Sequence, residues 1–321
     1  MKNLKPFLIA LAPLIIGLGI YFIYWRGEAE ALSTAISSVT GEDAGVAGFP
    51  YRLNARLNGL TVERGGENAA VRIVAGESEI GSGPFRAGLY VGYLRDVEVD
   101  AASGLPSLTA KITAPEARGS LRADALIERL SMRFERATVE TPLFNRPVTA
   151  RELELHFRET PNPTPSDMAT PPGQAEGRLA GLFDFANAAS VRVSLPLVVT
   201  ATAPLTSLSG WRDGGTVEVE NAEIAIGGAP LATFDATLAP LPDGALAIAG
   251  TLTTDCPLTT TALLTGRPAP AEEFRTRRAA EIALGGSLGD LSLRRLDTAS
   301  GGRVRSQEPP CPGLKETSSR P

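Results

Sequence analysis

Few side chains in this chain are equipped for chemistry. His156 is the single histidine. It lies in Glu152-Leu153-Glu154-Leu155-His156-Phe157-Arg158, where the period-two pattern puts it on the polar face of a strand. A lone imidazole with no nucleophile motif beside it reads as an ordinary exposed residue rather than a general base. The pairs Glu77/Glu79 and Glu218/Glu220 have the chemistry for acid–base work, but alternate acidic residues on a strand ordinarily form its solvent face. Gly285-Gly286-Ser287-Leu288-Gly289 lacks the lysine and the preceding strand that a phosphate-cradling loop requires. No H-E-x-x-H or paired C-x-x-C motif occurs. The expectation is a protein without catalytic residues, cofactor or metal, and not an enzyme.

The two cysteines are more informative. Cys256 precedes Pro257, and Cys311 lies between Pro310 and Pro312. In an oxidising compartment a Cys256–Cys311 bridge, closing a loop of about 55 residues, is worth about 4 kcal/mol on the chain-entropy account and would tie down a Gly/Pro-rich tail. That pairing is favoured. The alternative is two unrelated thiols, since their spacing fits no zinc site.

The elements that would position these residues begin with an apolar segment. Between Lys5 and Arg26 an uncharged run, Phe7 to Trp25, extends for roughly 19 residues, which at about 1.5 Å per residue nearly matches a hydrocarbon layer of about 30 Å. Lys2 and Lys5 precede the run, whereas Glu28 and Glu30 follow Arg26, so the short basic end should stay cytoplasmic and the remainder should cross. Tyr21, Tyr24 and Trp25 gather at the exit end, where amphipathic rings favour the headgroup region. Ala29-Glu30-Ala31 offers the competing reading of a cleaved signal peptide, but the apolar run exceeds the usual length of such a region. The expected location is the inner membrane, single-pass, with the C-terminal domain in the periplasm.

The composition of the whole 321-residue chain, 43% hydrophobic and 21% charged, suffices for a folded core. A net charge of −5 and 6% aromatics give neither a basic field nor stacking platforms for nucleic acid, which is excluded as a partner. A short helix is expected over Ala29–Val39. Beyond it the pattern is mainly β, antiparallel, with a few short helices. Strands are expected at Leu53–Glu63, Val71–Ile80, Val91–Val99, Leu108–Thr113, Met132–Val139, around Leu153–Phe157, at Val191–Val199, Thr216–Ile226, Ala232–Leu238 and Gly244–Leu252. The apolar phase flips near Gly59 and near Asn221-Ala222, where a bulge or turn fits. Helical interruptions are expected at Leu121–Arg129, Glu176–Ala188 and Ala271–Leu284, the last from Glu273/Arg277 and Arg277/Glu281 spacing.

A break at Thr160-Pro161-Asn162-Pro163-Thr164-Pro165 can neither propagate a helix nor pair in a sheet interior. The chain thus divides into a cytoplasmic tail (1–6), a transmembrane signal anchor (7–25), a short helix and linker (26–47), a β-rich half (48–159), a Pro-rich linker (160–175), a second β-rich half (176–311) and a disordered tail (312–321). The two halves are either similar units forming a curved sheet or groove, or parts of one continuous sheet.

Gly48-Phe49-Pro50-Tyr51-Arg52 opens the first long strand. Pro50 fixes φ, and Phe49 or Tyr51 can plug a core. An anchor ending in Trp, a short acidic helix and this motif together resemble the bacterial domain-of-unknown-function family 2125, whose members typically carry Gly-Phe-Pro-Phe/Tyr-Arg here. The resemblance implies a membrane-tethered periplasmic protein without assigned activity, and no catalytic residue is carried over. Members often have cysteines flanking the motif; this sequence has neither. In style the chain also resembles the larger AsmA-like envelope proteins, which use repeated strands as a lipid groove, although no motif matches.

Two functions fit. Strands with one apolar face and many small residues can curl into a trough for lipid or other apolar envelope components, with the inner membrane reached through residues 7–25. The alternative is an envelope scaffold or assembly factor that binds another protein through its β surface. An ordinary closed β core fits the alternation equally well.

Overall fold

The computed structural model describes residues 5–66, 69–86, 88–103, 109–123, 127–142, 146–160, 173–185, 188, 190–201, 211–267, 272–296 and 308–314, with side chains of the first helix described from residue 13. That helix, α1 (Lys5–Thr40), runs 36 residues with Pro13 inside it, a rod of about 54 Å. The apolar run and the expected Ala29–Val39 helix are therefore one unbroken element. Among the described residues no helix is long and apolar enough to cross a membrane; residues 7–12 of the expected span lie outside the described side chains.

After α1 the chain forms a single 14-stranded antiparallel sheet whose spatial order is the chain order. Its strands are β1 (Val46–Ala47), β2 (Leu53–Gly66), β3 (Ala69–Ser82), β4 (Leu89–Ser103), β5 (Ala110–Ala123), β6 (Ile127–Glu140) and β7 (Val148–Glu159). They continue as β8 (Gly173–Asp184), β9 (Val191–Thr200), β10 (Thr216–Ile226), β11 (Ala229–Pro240), β12 (Leu246–Thr254), β13 (Ala280–Ser287) and β14 (Asp290–Arg295). A short helix, α2 (Pro257–Thr265), interrupts the meander between β12 and β13. β7 pairs directly with β8, so one sheet runs through both β-rich stretches; the Pro-rich residues 161–172 lie outside the described residues.

The three helical interruptions are corrected by strand pairing. Leu121 faces Leu130 and Arg122 faces Arg129 across β5 and β6, so 121–129 contains two strand ends. Residues 176–184 belong to β8, bonded to β7 on one side and β9 on the other. Its Gly177, Ala180 and Gly181 mask the strand pattern, yet Leu179, Gly181 and Phe183 alternate inward, and neighbours on both sides override local propensity. The C-terminal part of 271–284 is β13. Arg277 pairs with Glu308 at 3.2 Å instead of with a helical neighbour. α2 lies outside the expected helices, although Pro257 at its start and Gly266 at its end, in the left-handed region at φ 66°, are ordinary boundary signals.

The inward face carries a feature repeated in six consecutive strands. Successive inward residues step by three rather than two at one level: Leu57 to Leu60, Ala75 to Ser78, Leu94 to Val97, Ala114 to Ala117, Phe134 to Ala137 and Ala150 to Leu153. The residues on one side of this line form a ladder, Leu57↔Ser78↔Leu94↔Ala117↔Phe134↔Leu153. Gly59, Asp96 and Glu152, on the line itself, have positive φ (96°, 49° and 52°). A one-residue phase change bends a strand and sharpens its twist. Six in register therefore crease the sheet about its apolar face. β8 makes no such step, and the surplus is absorbed as a register shift between Arg151 and Glu154. The expected flip at Asn221 recurs in β10 as shifts against both neighbours.

Along the crease the core is closed: Phe134 and Ala55 are 0% exposed. Trp25, Ala29, Leu32 and Ile36, spaced as one stripe of α1, join the same cluster. Removing the Phe134 ring leaves a void that small neighbours such as Ala117 cannot refill. Phe134→Ala is expected to destabilise the protein by about 3–5 kcal/mol, whereas Val91→Ala, on the outer face, should stay within about 0.5 kcal/mol; urea denaturation of the two variants makes the comparison.

Candidate functional site

The Gly48–Arg52 motif closes a tight loop against α1. Arg52 N–H donates to the Gly48 carbonyl at 3.1 Å, and the Phe49–Pro50 peptide is cis. Gly48 has φ 110°, and a Cβ there would lie 2.7 Å from the Arg52 carbonyl oxygen, so glycine is required. Three ring donors of the helix fasten to the loops. Tyr21 hydroxyl donates to the Pro50 carbonyl, Trp25 Nε1 to the Arg52 carbonyl at 3.1 Å, and Tyr24 hydroxyl to the Pro84 carbonyl at 2.6 Å. Phe49 packs edge-on against Phe22 and Trp25, at ring separations of 5.3 and 5.5 Å. Phe85, on the β3–β4 turn, stacks on Tyr21 and Tyr24 at 5.8 and 5.5 Å. Neither ring of the motif plugs the core: Phe49, packed against Phe22 and Trp25, is 38% exposed and Tyr51 is 86% exposed. Sequence spacing could not reveal that residues 49, 52 and 84 meet residues 21–25, because that depends on α1 folding back along β1 and β2.

The sheet is strongly two-faced. Outward, cross-strand ion pairs repeat: Arg95 with Glu77 at 3.2 Å, Lys111 with Glu98 at 2.9 Å, Arg133 with Glu154 at 3.8 Å. The hydrogen bond from Lys111 holds the Glu98 carboxyl below the usual carboxylate range, and the same bond raises Lys111. Such exposed pairs contribute little stability. Inward, apolar side chains away from the crease, among them Ile80, Ile112, Met132 and Leu155, are half-buried. A depression of about 450 Å³ lies between α1 and the β1 segment, lined by Phe22, Trp25, Ala29, Ala44 and Val46 among others. A larger one of about 530 Å³ opens at the opposite rim beside Asp100, Lys111 and Glu140.

Cys256 and Cys311 lie at disulfide distance, 2.09 Å between sulfurs, with Cα atoms 5.8 Å apart. Cys256 is buried with Val191, Ile224, Ile226 and Leu231, against which Leu263, Leu264 and Leu314 also pack. Around the pair, Cys311 N–H donates to the Glu273 carbonyl at 2.8 Å and Arg275 N–H to the Pro309 carbonyl at 3.0 Å. The Glu273 carboxylate accepts from Leu258 and Thr259 N–H at 2.9 and 2.7 Å, capping α2. Segment 308–314 is thereby clamped over one end of strands β9–β12.

His156 is placed on the outer face, as the alternation implied, but register gives it an unforeseen neighbour. Its Nδ1 lies 3.0 Å from Ser131 Oγ, and its Nε2 lies 3.6 Å from Glu154 Oε2. Ser131 stands opposite it on β6, a relation invisible without the pairing. The three groups resemble a hydroxyl–imidazole–carboxylate relay. The strands around them direct their N–H groups along the ladder, and an open sheet face offers no paired donors for an oxyanion. Glu77 and Glu79 are engaged with Arg95 and Asn54, and Glu218 accepts from Thr216 and Thr237. The glycines at 285–289 build the β13–β14 hairpin. Among the described residues no group of three or more His, Cys, Asp or Glu side chains is placed to hold a metal.

A continuous helix latched by aromatic rings to the mouth of a creased antiparallel meander defines the class of protein. The chain belongs to the family termed domain of unknown function 2125, described as an uncharacterized protein conserved in bacteria, whose model matches residues 28–285. That span includes the Gly48–Arg52 loop and the sheet as far as β13, and begins after Tyr21, Tyr24 and Trp25, the helix residues that hold the loops. No curated protein and no solved structure matches the chain, so the likeness to AsmA-like proteins gains no support.

Two outcomes follow. Gly48→Ala should release the loop, seen as faster amide exchange across 48–52 with exchange in β10–β12 unchanged; undiminished protection at Arg52 would refute the latch. Oxidised wild-type protein should change electrophoretic mobility on reduction, and Cys256→Ser should abolish that change while raising exchange in 308–314.

Proposed function

We propose that this is a membrane-anchored protein of the bacterial envelope, oriented with its short N-terminus in the cytoplasm, whose creased sheet presents its apolar face to lipid acyl chains in the periplasm. The observation that carries the reading is the half-open inward face. A solvated ion-pair ladder covers one side of the strands, while branched and sulfur-containing side chains on the other are neither fully buried nor exposed.

The anchoring part is supported by the apolar run and by Leu14, Ile15, Ile16, Ile20 and Ile23, all well exposed on α1. Such an unbroken surface is unfavourable in water. A cysteine pair at bonding distance supports the oxidising compartment. An N-terminal truncation to Gly41 would strip Trp25, Ala29, Leu32 and Ile36 from the core, so the full chain is the proper test material.

A second reading, an envelope scaffold, rests on β14. Among the described residues it pairs on one side only, with Leu291 and Leu296 exposed, which suits strand addition by another protein.

Reconstituting the full chain with phospholipid bearing a diazirine on its acyl chain discriminates the readings. Crosslinks to inward residues such as Leu94, Met132 or Leu155 are expected, and Met132→Asp should remove them. Crosslinks confined to α1 would leave the anchor standing and discard the lipid trough.

A further inference from the structure

From the geometry at the base of α1 we infer a second membrane contact: the loops 48–52 and 83–86 form a collar that seats the folded domain on the lipid headgroups. The inference rests on the anchored reading above. Each loop presents the same outward pair, an aromatic followed by arginine: Tyr51-Arg52 on one and Phe85-Arg86 on the other, all four exposed. Phe85 remains 72% exposed although it stacks on two helix rings. A ring turned outward beside a guanidinium suits a surface that is apolar on one side and anionic on the other, which is the composition of a phospholipid interface.

Height along the helix is the second argument. The loops are fastened to Tyr21, Tyr24 and Trp25. Those residues lie about 21–27 Å along the helix from Phe7 at 1.5 Å per residue, close to the thickness of a hydrocarbon core. Whatever depth the anchor adopts, the collar shares the level of the exit aromatics. Orientation is fixed too. α1 continues without interruption from the exposed segment into the stripe Trp25, Ala29, Leu32 and Ile36, which is buried in the sheet core. The domain therefore cannot swing away on a linker, and the turn end of β3 and β4 faces the bilayer.

Nitroxide labels on the full chain test this. Tyr51→Cys and Phe85→Cys sit at exposed positions, Glu223→Cys on β10 serves as the aqueous reference, and Cys256 and Cys311 are occupied by each other. The variants are reconstituted in vesicles of phosphatidylethanolamine and phosphatidylglycerol. Labels at 51 and 85 should be several-fold less accessible to an aqueous nickel chelate than the label at 223. Equal accessibility at all three positions, in chains that float with the vesicles, overturns the collar and leaves the anchor intact. Sheltering that grows with protein-to-lipid ratio assigns the patch to a second copy and also overturns it. Failure of the chain to float removes the anchor and the collar together.

Discussion

A single constraint organises the molecule: a strand shows one face to the core only while its two-residue alternation is kept, and six neighbouring strands break that alternation at the same level without losing the face. Each skips one position, and because all skip together the hydrogen-bonded ladder survives from β2 to β7. Were a single strand to keep strict alternation, half its apolar residues would turn to water. The residues that absorb the step are chosen accordingly. Gly59 enters positive φ at no steric cost, whereas Asp96 and Glu152 hold it outward as exposed polar side chains.

The crease explains the division of the core. Inward residues beside it are small or fully enclosed, as Ala55, Ala117, Ala150 and Phe134 show, and α1 covers them from the β2 side. Farther along the strands the same face widens and its side chains are only half-covered. Closed and open surfaces thus alternate along one sheet. The family loop sits at the margin between them, with Gly48 permitting the sharp entry and Trp25 filling the angle between helix and strand.

Much of this was legible. Thr216–Ile226 is a strand as its alternation indicated, and the phase flips at Gly59 and Asn221 are bulge-like steps, since both are written in one strand's own residues. What escaped was whatever depends on a neighbour. β8 reads as helical because Gly177, Ala180 and Gly181 erase local preference, and only ladders on both flanks make it extended. The step from Ala114 to Ala117 looked like the end of a strand at Thr113, because the compensating steps lie in other strands. Cys256 and Cys311 do lie at disulfide distance, whereas Glu273 caps α2 instead of forming half of an i,i+4 pair. By sequence alone, the aromatic residues among 21–25 indicate only a membrane boundary. Their use as hydrogen-bond donors to Pro50, Arg52 and Pro84 needed the fold.

The sheet's spatial order, identical to its chain order, bears on how it is made. Every strand after the first lies beside the strand before it, so within the sheet loop-closure cost stays low at each addition, and only the 308–314 clamp closes over a longer distance. A polypeptide emerging N-terminus first can extend its own growing edge one hairpin at a time. The topology permits assembly as a zipper, in which the last strand laid down is the last edge left open.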